Sequence, residues 1–451
     1  MEKLLQSDEI RGFIPEIGRP AVTEAIRAVL AGVRAKAERD EPVDLEGIVP
    51  AVASACAFKR LRKLRRVVNG TGVIIHTNLG RAPLGGDIFE RLAGEISGYC
   101  SLEYDLATGK RGGRGGFAED LLCVLAGAED ALIVNNNASS VFLILSEFAR
   151  GREVIVSRGE LVQIGGGFRL PDIMRQSGAL LVEIGTTNIT TIDDYRAAVT
   201  ENTAMVFSCH RSNFKMQGFT ENPPLRDLSA LKNEKIVFVR DLGSGNLNEE
   251  QKMFRPFEPT VRAELEQGPD LVCFSGDKLL GACQAGIIVG SREMVGRLRR
   301  NPLMRMLRVD KVTYFILQEA LIRHVNGEYD DIVLWDIMKQ TKKELSARIS
   351  RFMRAVKSPN KKQIIKKVTT QSTIGGGAMP GFQMESAGVR IDLPGVSAEE
   401  VHSSLVSSGV PVVGTIIDGH YTLDFRTILD ADVPAAAGAV DRLIARRDRS
   451  A

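Results

Sequence analysis

Residues 274–281 read FSGDKLLG, the last two-thirds of a stretch that begins with the apolar run LVCFS at 271–275. LVCFS reads as a buried strand ending at Ser275. The chain then turns through Gly276 and presents Asp277 and Lys278. A lysine at the end of a buried strand is costly as a cation. Burial and nearby cations lower its pKa, and a neutral amine attacks an aldehyde. That chemistry suits a Schiff base with pyridoxal phosphate. The plain alternative is a surface lysine in a strand-to-loop turn, and on these residues alone it carries more weight.

The surrounding chain reverses that weighting. Strand-like runs recur at ALIV (131–134), EVIVS (153–157), ALLVEI (179–184), AMVFS (204–208), KIVFVRD (235–241) and AGIIVG (285–290), with helical stretches between them. Short, continuously apolar runs alternating with helices predict an α/β fold with a mostly parallel sheet covered on both faces. Ligands of such sheets bind at the carboxyl ends of the strands.

Polar groups collect at those ends. NNNAS (135–139) follows ALIV and precedes the apolar VFLIL. Backbone N–H groups at that helix start suit a phosphate, and an asparagine-rich turn with an N-cap is the equal alternative. DLGSG (241–245) places Asp241 at the end of its strand. A carboxylate there can keep a pyridine nitrogen protonated; an Asx turn is the simpler reading. SRGELVQIGG (157–166) and HRSNF (210–214) follow two further strands. His210 suits stacking on a ring or bonding its phenolic oxygen, although a lone histidine is more often structural.

Three cationic features stand apart. NGTGVIIHTNLGRAPL (69–84) predicts a short strand at VII and a turn that exposes Arg81. TGKRGGRGG (108–116) carries Lys110, Arg111 and Arg114 and reads either as a mobile loop or as a flap over an anion or a neighbouring subunit. In NPLMRMLRVDK (301–311), Arg305 and Arg308 share a helix face, which suits a phosphate-like dianion or two exposed side chains.

Residues 1–66 read as a basic helical domain. Val22, Ile26, Val29 and Val33 recur at helical spacing after Pro20, and a second helix runs from Leu45 through Ile48, Val52 and Cys56 into KRLRKLRR at 59–66. Lys59, Arg60, Arg62, Lys63, Arg65 and Arg66 suit either a solvated helix end or nucleic-acid phosphates. The large domain spans 67–310. Residues 311–451 begin helically and end in a small α/β domain with strand-like GVRIDL (388–393), VPVVGTII (410–417) and YTLDF (421–425) around a helix at 397–407.

Composition narrows the class. The 451 residues are 44% hydrophobic and 25% charged, so a large core is available. A net charge of +3 confines any nucleic-acid affinity to a local patch. The six cysteines have no zinc-like spacing, so no metal site is predicted. The start, MEKLLQSDEI, is too charged for a signal peptide, and no apolar run reaches about 18–20 residues, so a cytoplasmic protein without a membrane span is expected.

The ordered set NGTGVIIHTNLGRAPL, TGKRGGRG, SRGELVQIGG with FRLPDIM, GTTN (185–188), DLGSG, FSGDKLLG with QAGIIVG, and NPLMRMLRVDK resembles the bacterial selenocysteine synthase family, the L-seryl-tRNA(Sec) selenium transferases. The resemblance covers most of 67–311, with weaker matches at GGGAMP (375–380) and DFRT (424–427). It implies a fold-type I pyridoxal-phosphate enzyme that assembles at least as homodimers, with larger rings of dimers expected, and that acts on seryl-tRNA(Sec) and selenophosphate through an aminoacrylyl intermediate. It implies Lys278 as Schiff-base lysine, Asp277 as a proton-transfer or positioning group, and a cofactor set of Asp241, Asn137, Ala138, Ser139, His210 and Ser275. It implies an anion site of Arg81, Arg305 and Arg308, and tRNA contacts from the 59–66 run. Ile189, Arg211, Ala282, Cys283 and Thr415 depart from the family pattern. Two other readings keep parts of the motif set: a fold-type I lyase or ammonia-lyase for a small free amino or amino-sugar acid, and a non-catalytic tRNA-binding protein.

Overall fold

The computed structural model describes residues 1–164, 167–251 and 254–450. Gly165 and Gly166 of the SRGELVQIGG motif lie outside the described residues.

Seven strands form the central sheet: β1 (Asp130–Val134), β2 (Glu153–Ser157), β3 (Leu180–Ile184), β4 (Thr203–Cys209), β5 (Val237–Gly243), β6 (Leu271–Ser275) and β7 (Gly286–Gly290). Their order is β1-β7-β6-β5-β4-β2-β3. β7 runs antiparallel to both its neighbours, and the other pairings are parallel. Each predicted strand is present within two residues of its expected ends. The runs are continuously apolar because both faces are covered. Leu271 and Cys273 point into one buried cluster with helix Asn137–Phe148, while Val272 and Phe274 point into another with helices Gly116–Ala126 and Lys311–Asn326.

A second sheet lies in the C-terminal part: β8 (Ile365–Thr373), β9 (Gln383–Ile391), β10 (Thr415–Ile417) and β11 (His420–Asp424), ordered β8-β9-β11-β10 and antiparallel throughout. Helices Lys342–Ala355, Ala398–Val406 and Val433–Ser450 pack on it through Phe352, Leu405 and Val440 against Val389 and Tyr421. The predicted VII strand is not formed. Val73 makes an isolated bridge to Thr373, and the Ile74 and Ile75 N–H groups donate to the carbonyls of Thr373 and Ile374. Val68 and Asn69 pair with Val412 and Val413. The segment 68–75 is therefore stitched to the C-terminal part, and it carries the Arg81 turn to the edge of the large sheet.

In the N-terminal segment, helices Arg19–Ala37 and Ile48–Leu61 bury Val22, Ile26, Val52 and Cys56 with Leu5 and Ile10. The second helix stops at Leu61, so only the first three residues of KRLRKLRR are helical.

Candidate active site

Four strand ends converge on one cavity of about 390 Å³, that of β4 through Cys209 and His210. β6 delivers Ser275, Asp277 and Lys278; β5 delivers Asp241; the turn after β1 delivers Asn136, Asn137 and Ala138. In the pairing register, Asp241 lies between Cys209 of β4 and Cys273 of β6. A Cβ placed on Gly243 would sit 3.7 Å from Lys278 Nζ and 3.9 Å from Asp241 Oδ1, so amine and carboxylate face the same space.

Lys278 is 5% exposed. Burial, then the Arg81 guanidinium, pushes its pKa down; Asp241, Asp277 and Glu258 oppose the shift. Asp241 accepts a hydrogen bond from Asn137 Nδ2 at 2.8 Å. Burial raises its pKa, and that bond and Lys278 oppose the rise. Asp277 is buried, pushed up by burial and drawn down by Arg81, whose Nε lies 3.2 Å from Asp277 Oδ2. Arg81 itself has φ +62°, a left-handed conformation that a non-glycine residue adopts only under constraint.

The NNNAS turn forms the N-cap. Asn136 is the N-cap of helix Asn137–Phe148, and its Oδ1 accepts the Ser139 N–H at 2.9 Å. That cap consumes Ser139, which does not line the cavity, and leaves the amides of Asn137 and Ala138 at the helix start for an anion. The turn lies close against β7: a Cβ on Gly286 would overlap the Asn136 carbonyl, so only glycine fits there.

His210 lines the same cavity. Burial, with the charges of Arg240 and Lys278, lowers its pKa to about 3, so the ring is neutral. The residues present fit pyridoxal phosphate on their own chemistry. A buried lysine amine whose pKa burial lowers, a buried carboxylate, a buried neutral ring and a helix N-terminus surround one space, and Asn137 Oδ1 and His210 Nδ1 are buried there without a hydrogen-bond partner.

The remaining expected site residues lie apart. Arg81 lines the cavity, but Arg305 and Arg308 do not. Arg305 is exposed on the short helix Met304–Leu307. Arg308 pairs with Glu103 at 3.3 Å, a carboxylate that also binds Arg111 and Arg114. That short helix still sits next to the NNNAS turn, because the Asn135 N–H donates to the Leu307 carbonyl at 2.9 Å. Ile189, Arg211, Cys283 and Thr415 are not among the cavity residues.

Five of the six basic residues at 59–66 have intramolecular partners. Lys59 pairs with Glu24, Arg60 with Glu16 and Arg66 with Asp432, while Lys63 and Arg65 donate to the carbonyls of Glu16 and Ser408. The run thus joins the helices of its own domain and ties them to the C-terminal part. Arg426 is buried and donates to the carbonyls of Ile337, Gln340 and Glu385, a structural role. Sequence reasoning passed over Asn136, Ser212 and Gln284, which line the cavity, and Glu258, which lies behind it. Asn136 was legible as the residue three before Ser139, the spacing of a capping bond.

Among the described residues no helix is long and apolar enough to cross a membrane, and no cluster of ligating side chains is arranged for a metal ion.

The family described as L-seryl-tRNA selenium transferase matches residues 67–429, and the one described as selenocysteine synthase N terminal matches residues 1–34. The L-seryl-tRNA(Sec) selenium transferase of Geobacter sulfurreducens is 41% identical over 98% of both chains. That of Desulfotalea psychrophila is 44% identical over 84% of this chain and 83% of its own. Among solved structures, D-glucosaminate-6-phosphate ammonia-lyase superposes with a TM-score of 0.58 over 84% of this chain and 95% of its own, at 18% identity, which is a likeness of fold. With a family match over most of its length and relatives of this identity, the chain belongs to the L-seryl-tRNA selenium transferase family.

Proposed function

We propose that this chain converts seryl-tRNA(Sec) to selenocysteinyl-tRNA(Sec), with selenophosphate as selenium donor. The observation that carries the reading is the meeting of Lys278 and Asp241 across one cavity, in a chain of this family.

Pyridoxal phosphate, when bound, supplies the electron sink that stabilises negative charge at the seryl Cα. Asp241 holds the proton on the pyridine nitrogen, and Asn137 fixes that carboxylate through its side-chain amide. The amides of Asn137 and Ala138 take the phosphate, with Ser139 contributing through the cap. Ser275 and His210, which line the cavity, would border the ring. Lys278 removes the Cα proton at Nζ, a task suited to an amine whose pKa burial has lowered. The seryl hydroxyl leaves as water, and Asp277 gives or steers that proton. Selenium then bonds to Cβ as the Cα=Cβ double bond left by loss of water opens, Lys278 returns the proton to Cα, and water cleaves the Se–P bond to release phosphate. Arg81 binds the anionic donor at the cavity; Arg305 and Arg308, beside the cofactor turn, complete the site.

Residues 1–66 are assigned as the tRNA-binding domain, 67–310 as the cofactor domain and 311–451 as the linker helix and small domain. Arg62, exposed and in no ion pair among the described residues, and the exposed edges of Lys59, Arg60, Lys63, Arg65 and Arg66 are offered to the tRNA backbone. The exposed Tyr99, Tyr104, Leu106 and Phe117 on one stretch of the large domain support a homodimer, and rings of dimers extend the same arrangement. The protein is assigned to the cytoplasm, where charged tRNA is found.

The test supplies purified protein with pyridoxal phosphate, selenophosphate and either seryl-tRNA(Sec) or free serine. Selenium should appear only on the tRNA. Turnover of a free amino acid, with none of the charged tRNA, would instead favour the lyase reading.

A further inference from the structure

A second buried carboxylate lies behind the lysine cavity. Glu258 is fully buried and belongs to none of the motifs that carry the family resemblance. Its Oε2 accepts the Met379 N–H at 2.9 Å. Its Oε1 accepts the Ser244 hydroxyl and lies 3.3 Å from His210 Nδ1, a buried nitrogen with no hydrogen-bond partner. Three distant stretches therefore meet at one carboxyl group: the DLGSG turn, the residue that borders the cofactor space, and the GGGAMP loop.

That loop is held in an uncommon conformation. Gly375, Gly376 and Gly377 have φ of +73°, +58° and +80°, and Met379 has φ +48°. A left-handed methionine is sterically disfavoured and persists only where its surroundings over-determine it. The bond to Glu258 is a buried contact of that kind. Its consequence is visible at Gly377, where a Cβ would overlap Asn213 Oδ1 and lie 3.2 Å from Lys278 Nζ. The loop closes directly over the amine.

We propose that Glu258 is a positioning residue: it clamps loop 375–379 over Lys278 and, through its own proton, sets which nitrogen of His210 carries hydrogen. This rests on the reading of the Lys278 cavity as the active site. An ionised Glu258 accepts from Nδ1–H and leaves Nε2 as an acceptor. A protonated Glu258 donates to Nδ1, and the ring then carries its hydrogen on Nε2. Between the two states the pair exchanges one proton with solvent, and the imidazole stays neutral throughout. Burial pushes Glu258 up to about 7, so the exchange falls in the neutral range. Lys278 and Arg240 are the cations that oppose the rise, and Ser244 and Met379 supply the hydrogen bonds that do the same.

Two variants test the proposal. Glu258→Gln keeps the shape and an acceptor for the Met379 N–H but cannot ionise; Glu258→Ala removes both. Hydrogen exchange at residues 376–382, measured on apoprotein, should rise at least tenfold in Glu258→Ala and stay near wild type in Glu258→Gln. In the loaded enzyme, kcat of Glu258→Gln should fall about tenfold and lose the wild-type pH step near neutrality, with KM for tRNA unchanged. Unchanged loop protection in Glu258→Ala, or the wild-type pH step in Glu258→Gln, overturns the proposal. If Glu258→Ala does not fold, Glu258→Asp, one methylene short, takes its place with the same expected loss of protection. The exchange measurement uses no substrate, so wild-type protein inactive on seryl-tRNA would sink the functional reading and leave this one standing.

Discussion

Arg81 and Asp277 form an ion pair at 3.2 Å that sets a guanidinium beside the residue preceding the cavity lysine. The same cation is the second cause of the lowered Lys278 pKa. Arg81 therefore has two separable effects, on the lysine and on an incoming anion. Lys278 must be neutral to remove a proton, so the acid limb of the rate profile follows its pKa. Arg81→Ala removes a cation, raises that pKa and moves the limb to higher pH. It should also raise KM for selenophosphate about tenfold or more, and Arg81→Lys should restore the charge effect better than the donor affinity. A pH–rate series at saturating and limiting selenophosphate separates the two.

The backbone at Arg81 gives an independent stability test. With φ at +62°, alanine there keeps the left-handed strain and glycine relieves it. Arg81→Gly should be more stable than Arg81→Ala by about 1 kcal/mol, read from denaturant midpoints at equal m-values.

Much of this arrangement is legible in the sequence. Each strand of the large sheet shows as an apolar run because both faces are buried, and the strand ends at Asp241 and Lys278 follow from where those runs stop. VII at 73–75 failed as a strand because an apolar triplet shows burial, not its pairing partner; those residues bridge to Thr373 and Ile374, some three hundred positions away. The basic run 59–66 shows charge but not its counter-ions. Glu16, Glu24 and Asp432 come from separate helices or turns, and no local pattern names them. Glu258 was invisible for the same reason, since its partners Ser244, His210 and Met379 are joined only by the fold.

Lys278 makes two predictions of opposite sign. Lys278→Ala should abolish turnover and the visible absorbance of the loaded enzyme; a colourless variant with wild-type activity would refute the assignment. For the apoprotein the direction reverses. The unfolded chain binds a proton that the folded site disfavours, so between the lowered folded pKa and the ordinary 10.5 wild-type stability rises with pH. Lys278→Met fills the space without a charge. It should stabilise the apoprotein at neutral pH by on the order of 1 kcal/mol and lose that pH dependence. Thermal melts of both proteins from pH 6 to 9 check the slope.

Asp241→Asn keeps the shape of the side chain, and its amide oxygen can still accept from Asn137. It cannot hold a proton on a pyridine nitrogen as a carboxylate does. The cofactor should therefore still bind while kcat falls by about 10²-fold or more, a size typical of removing one group that stabilises developing charge. Equal loss of cofactor affinity and kcat would instead make Asp241 a binding residue only.

The N-terminal prediction follows from which cations are already engaged. Lys59, Arg60 and Arg66 are paired with carboxylates, whereas Arg62 is exposed just past the helix end. A cation that meets a phosphate releases counterions, so its removal flattens the salt dependence of binding. Arg62→Ala should weaken tRNA(Sec) binding and reduce the slope of log K against log salt by roughly 1, with the cofactor spectrum unchanged. Arg66→Ala should also loosen the tie to Asp432 and so lower stability as well as affinity. Deleting residues 1–61, which spares Arg65, Arg66 and the Val68–Val412 pairing, should remove most tRNA affinity and leave cofactor binding intact. Undiminished tRNA binding by that truncation would take the tRNA away from this domain and assign it to the large and small domains alone.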